Sequence, residues 1–421
     1  MDEEVVTESR KETEVAPALV SVHPDGHYVA VAVGPELRVF DLIGGCAASL
    51  VDDSVDQPFH KDNIRAIRFG ANGKLFVSAG DDKTLKIWSS QSWQCISTVS
   101  SEKRVTAVAI SNDGLHVCFA DKFGLVWVVD LNQPSRDKKP TPLLSHYCSI
   151  ITSLEFSPDN RFILSADRDF KIRVTNFPNN PLNGAHQIQS FCLGHTEFVS
   201  CLAFVPAQEG PHSLLLSGSG DSTVRLWDIS SGALLDTCEV AVKAGLLESN
   251  GKAEEHDHAV TNLCTTLDGL LVAVSIQSLR GIVLLRCNVS AQTLSVAKVV
   301  SIAGEAFIPT CLANNPLTRE LWMVTGVSNL PGYNYPSLAR VLVISGIDVE
   351  QEPVVLGDNK IPGGEKLLET LQGTASVDDN AFLVAAEAVK AAMCNLLIKK
   401  QYPSENREYR KKTRNDRKLK E

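Results

Sequence analysis

The chain has 421 residues, 44% of them hydrophobic and 21% charged, with a net charge of −10. This is ordinary globular material, long enough for two or three domains or for one repeat array. The charge is uneven. Lys399 to Glu421 hold ten Lys/Arg against four Asp/Glu, whereas the residues before them hold 30 against 46. An acidic body suits sequence-blind phosphate binding poorly, so any such role falls to the tail.

Other exclusions follow from motifs. There is no GxGxxG, GxxxxGK[ST] or HExxH, and the expectation is a chain that is not an enzyme and holds no cofactor. No apolar run of about 18 residues stands out, so no membrane span is expected. The acidic start MDEEVVTESRKETE is unlike a secretory signal. Eleven cysteines are scattered without a CxxC pair. They read as buried reduced thiols of a cytosolic or nuclear protein, not as metal ligands.

In chain order, one unit recurs after a short acidic segment (1–16). A strand, a turn, a second strand, an Asp turn and a third strand follow one another. Leu19 to Asp41 is the first copy and His60 to Trp88 the second, with Trp88 six residues after Asp82. The third places Trp127 six after Asp121. The fourth and fifth lie between Phe156 and Asp228. A sixth begins at His258, and a seventh contains FIPTCLANNPLTRELWMVTG and LARVLVISG. The fifth copy is bounded by Gly194-His195 and Trp227-Asp228, the GH and WD dipeptides of a WD-repeat β-propeller blade. The fold class is therefore all-β: a seven-bladed WD-repeat propeller over 17–346, followed by a C-terminal helix and a basic tail. The outermost strand of the last blade is expected from near the N-terminus. The insertion Gly245 to Asp257 is expected as a rim loop.

Within the fifth copy, His195, Ser219, Asp221 and Trp227 form the expected structural tetrad, since buried polar groups must satisfy one another. Ser217 shares a strand face with Ser219. A catalytic triad of His195, Asp221 and Ser219 has the right residue types, but the repeat itself requires the same set. His256 and His258 flank Asp257 without further metal ligands in view. The fourth copy departs from the rule. Six residues after Asp169 stands Thr175 in place of tryptophan, and the turn reads ADRDFKIR. Side chains of Arg168, Lys171 and Arg173 should project near the rim, beside the amphipathic GHTEFVS opening of the next blade. Charge next to apolar surface is what interfaces prefer.

Here SPDNRFILSADRDFKIRV, followed by QSFCLGHTEFVSCLAFVP, resembles the non-catalytic WD-repeat subunit of the eukaryotic tRNA (guanine-N7-)-methyltransferase. The match is specific over Phe156 to Pro206 and looser elsewhere. The resemblance implies a propeller docked, as a heterodimer, on a separate S-adenosylmethionine-dependent catalytic subunit. The pair would form 7-methylguanosine in the tRNA variable loop. It further implies a partner interface at Arg168, Asp169, Lys171, Arg173 and Glu197, with the basic residues facing acidic groups of the catalytic subunit. Insertions at Asn179–His186 and Gly245–Asp257 depart from the family pattern. The alternative is a generic WD-repeat scaffold or a ubiquitin-ligase substrate receptor. Such receptors carry an arginine two residues after a WD aspartate, where this chain has Asp228-Ile229-Ser230.

Residues 347–374 read as a linker. From 375 to 400 a helix is expected, with Phe382, Ala386, Val389, Met393, Leu396 and Leu397 at helical spacing. The tail 401–421 is too charged to pack and should be disordered in isolation. Its Lys411, Lys412, Arg414, Arg417 and Lys418 are candidate RNA contacts. KKTRNDRKLK is equally a nuclear-import signal, which gives a nuclear, and also cytoplasmic, location.

Overall fold

The strand Phe162–Asp167 is buried at all of its positions, so its sheet needs cover on both faces. Seven four-stranded antiparallel sheets supply that cover by standing in a ring. The structure is a computed structural model and describes residues 15–54, 58–132, 138–147, 149–206, 214–246, 258–315, 317–330, 337–348, 351–373 and 379–398. The blades span Leu19–Ala47, Ile64–Ser100, Val105–Ser145, Ile151–Leu193, Val199–Glu239, Val260–Ser301 and Cys311–Val355. A one-turn helix, α1 (Val240–Lys243), follows blade five. Innermost strands neighbour one another around the full circle, the first lying against the seventh. They line a channel of about 590 Å³. Arg68 of blade two crosses past blade three to Glu155 of blade four, Nη1 to Oε2 2.7 Å.

The ring closes differently from expectation. All four strands of blade seven come from residues 311–355, and none from the N-terminus. The N-terminal side contributes only a seam, in which Ala18 N–H donates to Gly326 O (2.8 Å) and Thr310 Oγ1 to Ala18 O (2.8 Å). The outermost strands of blades one and seven, Cys46–Ala47 and Val354–Val355, are only two residues long. They leave strand edges that need other cover. Helix α2 (Gly364–Gln372) provides it, burying Leu367 and Leu371 in one cluster with Phe40 and Val343. Arg38 of blade one donates to Leu371 O (3.0 Å) and to Ser337 Oγ of blade seven (2.7 Å). Val341 N–H donates to Gln372 Oε1 (2.7 Å). Residues 347–374 are thus no linker; they hold a propeller strand and the clasp. Gly363 enters α2 at φ 88°, with Phe40 so near that a Cβ would sit 2.8 Å from its ring.

Helix α3 (Asp379–Leu397) falls within the predicted 375–400. Its first turns pack on Val327, Leu330 and Leu338 of blade seven through Ala381, Phe382 and Ala385. Its last turn packs Met393, Leu396 and Leu397 on Phe198 and Ala259, where blades five and six begin. The helix therefore crosses the channel mouth, above a cavity of about 190 Å³ walled by Arg65, Lys122, Ile150 and Met393 among others. Asn380–Leu397 has a mean hydropathy of 1.3, long and apolar enough by composition to cross a membrane. The sequence reading overlooked this run; here its buried residues Ala381, Ala385 and Leu397 face the propeller. Most of the Gly245–Asp257 insertion lies outside the described residues, as does the tail. In the other insertion a 3₁₀ turn, Pro181–Asn183, packs Leu182 on the core between blades three and four.

Inside the blades the polar networks correct the tetrad. In blade five His195 Nε2 contacts Ser217 Oγ (2.7 Å), Trp227 Nε1–H donates to the same oxygen (2.8 Å), and His195 Nδ1 contacts Asp221 Oδ2 (2.8 Å). Ser217 is the member, not Ser219, which instead donates to Glu197 O at 3.2 Å. Blade two repeats the set with His60, Ser78, Asp82 and Trp88. Trp127 does not belong to it. It pairs across the strand with Phe119, the fourth residue of its strand, where Trp88 and Trp227 pair with the second, and it donates to Asp121 Oδ2 (3.1 Å).

These networks set two expectations. Ser217→Ala strands two interior groups and should cost about 1–3 kcal/mol in denaturant unfolding, while Ser219→Ala should cost less than about 1; equal losses would refute the assignment. Burial alone would raise the Asp221 carboxyl, but hydrogen bonds from His195 and Thr223 outweigh it and hold the group at about 2. Its contribution is complete above the unfolded value near 4 and is lost as pH falls through about 2. Wild type should lose on the order of 2 kcal/mol over that window, and Asp221→Asn should flatten the decline. For the clasp, Leu371→Ala should cost about 2–5 kcal/mol, with hydrogen-exchange protection lost first in blades one and seven. Uniform loss in all blades would mean that α2 does not hold the seam.

Candidate partner-docking site

Blade four builds its network with a substitution. His146 Nε2 contacts Ser165 Oγ (2.7 Å) while Nδ1 contacts Asp167 Oδ2 (2.9 Å), so the carboxylate comes from the strand end and not from the turn. In blades two and five the turn aspartate is also held by a threonine, Thr84 or Thr223. The corresponding residue here is Lys171. The side chains of the turn are therefore released from the network, while its backbone stays tied to it, Asp169 N–H and Lys171 N–H donating to Asp167 Oδ1 (2.8 and 3.1 Å); the Asp169 carboxylate lies 4.0 Å from Arg168 Nε. Thr175 occupies the tryptophan position, opposite Ile163 as Trp227 is opposite Leu215.

The missing indole leaves room that Arg173 takes. Its Nε–H donates to Thr175 Oγ1 (3.1 Å) and Nη1 to Ser145 O of blade three (3.1 Å). Lys86 and Arg225 hold the same place in blades two and five, each opposite the network serine. Lys86 is paired with Asp52 at 2.5 Å, and Arg225 has Asp221 at 3.9 Å. Among the described residues no carboxylate pairs with Arg173, and burial pulls its guanidinium below the ordinary value. An arginine stays charged regardless. It is a half-buried cation whose hydrogen-bond partners among the described residues are neutral oxygens.

The sequence reading placed Arg168, Lys171 and Arg173 projecting at the rim. Lys171 does project. Arg168 does not: its side chain is only 21% exposed, and its backbone N–H donates to Ile150 O (2.9 Å). Glu197 is half-buried in the loop entering blade five. Lys411, Lys412, Arg414, Arg417 and Lys418 lie outside the described residues.

Sequence reasoning missed the apolar half of this surface. On the outermost strand, Ile188–Leu193, Phe191 pairs opposite Arg173 and Leu193 opposite Lys171. Ile172, Val174 and Cys192 point the other way, into the blade-five core. Phe191 (42%) and Leu193 (60%) are exposed, as are Phe170 at the turn tip and Tyr147 (94%) beside the network histidine. The available signal was the run Phe191-Cys192-Leu193, whose strand geometry must turn Phe191 and Leu193 to the face opposite Cys192. Two cations flanked by large exposed hydrophobics are equipped to bury an acidic, apolar surface.

Residues 47–146 and 137–321 match the model of a family described as the tRNA methyltransferase TRM82 WD40 domain. A Xenopus laevis protein named as the non-catalytic subunit wdr4 of tRNA (guanine-N(7)-)-methyltransferase is 33% identical over 285 residues, 66% of each chain. The human protein of that name is 37% identical over 215 residues, 51% of this chain and 50% of its own length. The chain thus spans about half the length of the first of the curated relatives it matches. Among solved structures, the WD40 repeats of RRP9 superpose with a TM-score of 0.61 at 17% identity, covering 78% of this chain and 95% of that one. That likeness concerns the fold alone. With the family model matched over more than half of its length, the chain belongs to the tRNA methyltransferase TRM82 WD40 domain family.

Proposed function

We propose that this protein is the non-catalytic subunit of a tRNA (guanine-N(7)-)-methyltransferase. It would dock the S-adenosylmethionine-dependent catalytic subunit through blade four and support methylation of the variable-loop guanine. One observation supports the reading most: Arg173 is a half-buried guanidinium with no carboxylate partner among the described residues, beside exposed Lys171, Phe191 and Leu193. A carboxylate of the partner would complete it, much as Asp52 completes Lys86. The relatives' shared description as non-catalytic subunits agrees with this role, and we take the methyl transfer itself to belong to the partner. The basic tail supports a nuclear address and contact with tRNA phosphates in the assembled complex.

The generic-adaptor alternative fits the ring equally well but does not account for a half-buried arginine that meets only neutral oxygens among the described residues, beside exposed Phe191 and Leu193. Lys171→Glu and Arg173→Glu discriminate the two. Breaking a desolvated charge pair leaves the other charge buried and should cost about 2–5 kcal/mol of binding, roughly 30-fold or more in Kd. Lys171→Glu should barely move the melting temperature, because an exposed charge contributes little to the fold. Co-elution of both variants with the catalytic subunit at wild-type affinity would place the interface on another face.

A further inference from the structure

In blades two to five the residue just before the third strand has a left-handed backbone: Lys83 (φ 64°), Gly124 (φ 87°), Phe170 (φ 71°) and Ser222 (φ 63°). Glycine adopts this conformation freely, whereas a large side chain meets its own backbone there. Two aromatic residues among those described carry the cost, Trp93 (φ 53°) and Phe170. For Trp93 the fold itself compensates. Its indole is 3% exposed and meets Tyr28, Phe69 and Phe76 with ring centroids 5.3, 6.0 and 5.5 Å away. Phe170 is 38% exposed, and among the described residues no aromatic ring stacks on it. Strain that the fold does not use points to a use outside the fold.

The turn cannot relax to relieve it. Arg168 N–H is held by Ile150 O (2.9 Å), and Asp169 N–H and Lys171 N–H both donate to Asp167 Oδ1 (2.8 and 3.1 Å). The backbone is therefore braced on both sides of Phe170. The residue stands at the end of a mixed row. Lys171 follows it opposite exposed Leu193, and Arg173 lies opposite exposed Phe191.

Resting on the function proposed above, we propose that Phe170 is the anchor of the docking surface. Its ring is presented in advance by a strained and braced turn, and it fills an apolar recess of the catalytic subunit whose border carries the carboxylates that meet Lys171 and Arg173. An anchor fixed before contact loses little freedom on binding, so its burial goes largely into affinity. Aromatic anchors of this kind dominate interfaces, with the flanking charges setting register.

The test uses the full chain and the catalytic subunit, with Phe170→Gly and Phe170→Asn. Both residues tolerate a left-handed backbone, and asparagine does so without glycine's extra freedom in the unfolded state. Each variant should keep the wild-type melting temperature or exceed it, while its Kd for the catalytic subunit rises about 30-fold or more. The loss should be the same at low and high salt, because an apolar contact is not screened. Wild-type affinity in both variants, with binding weakened by Lys171→Glu and Arg173→Glu, would leave blade four as the docking site and overturn the anchor. A lowered melting temperature in both would show that the fold relies on the ring, and a loss confined to low salt would assign the effect to charge; either would overturn the proposal. Wild-type affinity in the charge-reversal variants as well, or failure of the unmodified chain to assemble, would instead remove the docking site on which the proposal rests, and the proposal with it.

Discussion

A ring of blades must close, and every other feature of this molecule depends on that closure. A four-stranded sheet such as blade four has apolar side chains on both faces, with Ile172, Val174 and Cys192 turned to blade five. Each blade is stable only because its neighbours are in place, so one open seam would expose two sheets at once. Here the seam between blades one and seven is held without strand exchange. Two hydrogen bonds at Ala18, from its N–H to Gly326 O and from Thr310 Oγ1 to its carbonyl, the α2 clasp with Leu367 and Leu371, and the bridging Arg38 do the work jointly. The two-residue outer strands on either side of the seam make room for that helix.

The closed ring allows individual blades to depart from the pattern, blade three as well as blade four. In blades two and five the interior is locked by a serine oxygen shared between histidine and tryptophan. Blade four keeps the histidine and the serine but takes its carboxylate from Asp167 and gives up the tryptophan. Neighbouring blades carry the stability that this one forgoes. In return the side chains of the turn from Arg168 to Lys171 leave the network while its backbone stays bonded to Asp167, and Arg173, whose hydrogen-bond partners among the described residues are neutral oxygens, is presented among exposed aromatics. At Arg173 consistency is broken where a partner would restore it, which is where function is expected.

Much of this was legible from residue spacing. The repeats gave the ring and its seven blades, and the absence of tryptophan at Thr175 pointed to blade four. The spacing failed where register decides. Ser217 and Ser219 share a face, so parity admits both, and only the distance to His195 and Trp227 selects Ser217. Trp127 stands six residues after an aspartate, as Trp88 and Trp227 do, but Asp121 ends its strand where Asp82 and Asp221 sit in the turn. The same count therefore lands two residues short. The clasp escaped notice because GEKLLETLQ is short, follows IPG and lacks a side-chain N-cap. Its purpose lies in two strand edges far apart in sequence, at Cys46–Ala47 and Val354–Val355.

The central claim is that blade four is where the partner binds. Amide hydrogen exchange of the chain, alone and with the catalytic subunit, tests it most directly. The account predicts new protection confined to residues 145–147, 168–173 and 188–193, with the seam between blades one and seven unchanged. Protection that appears on other blades while 168–173 exchange as before would contradict it.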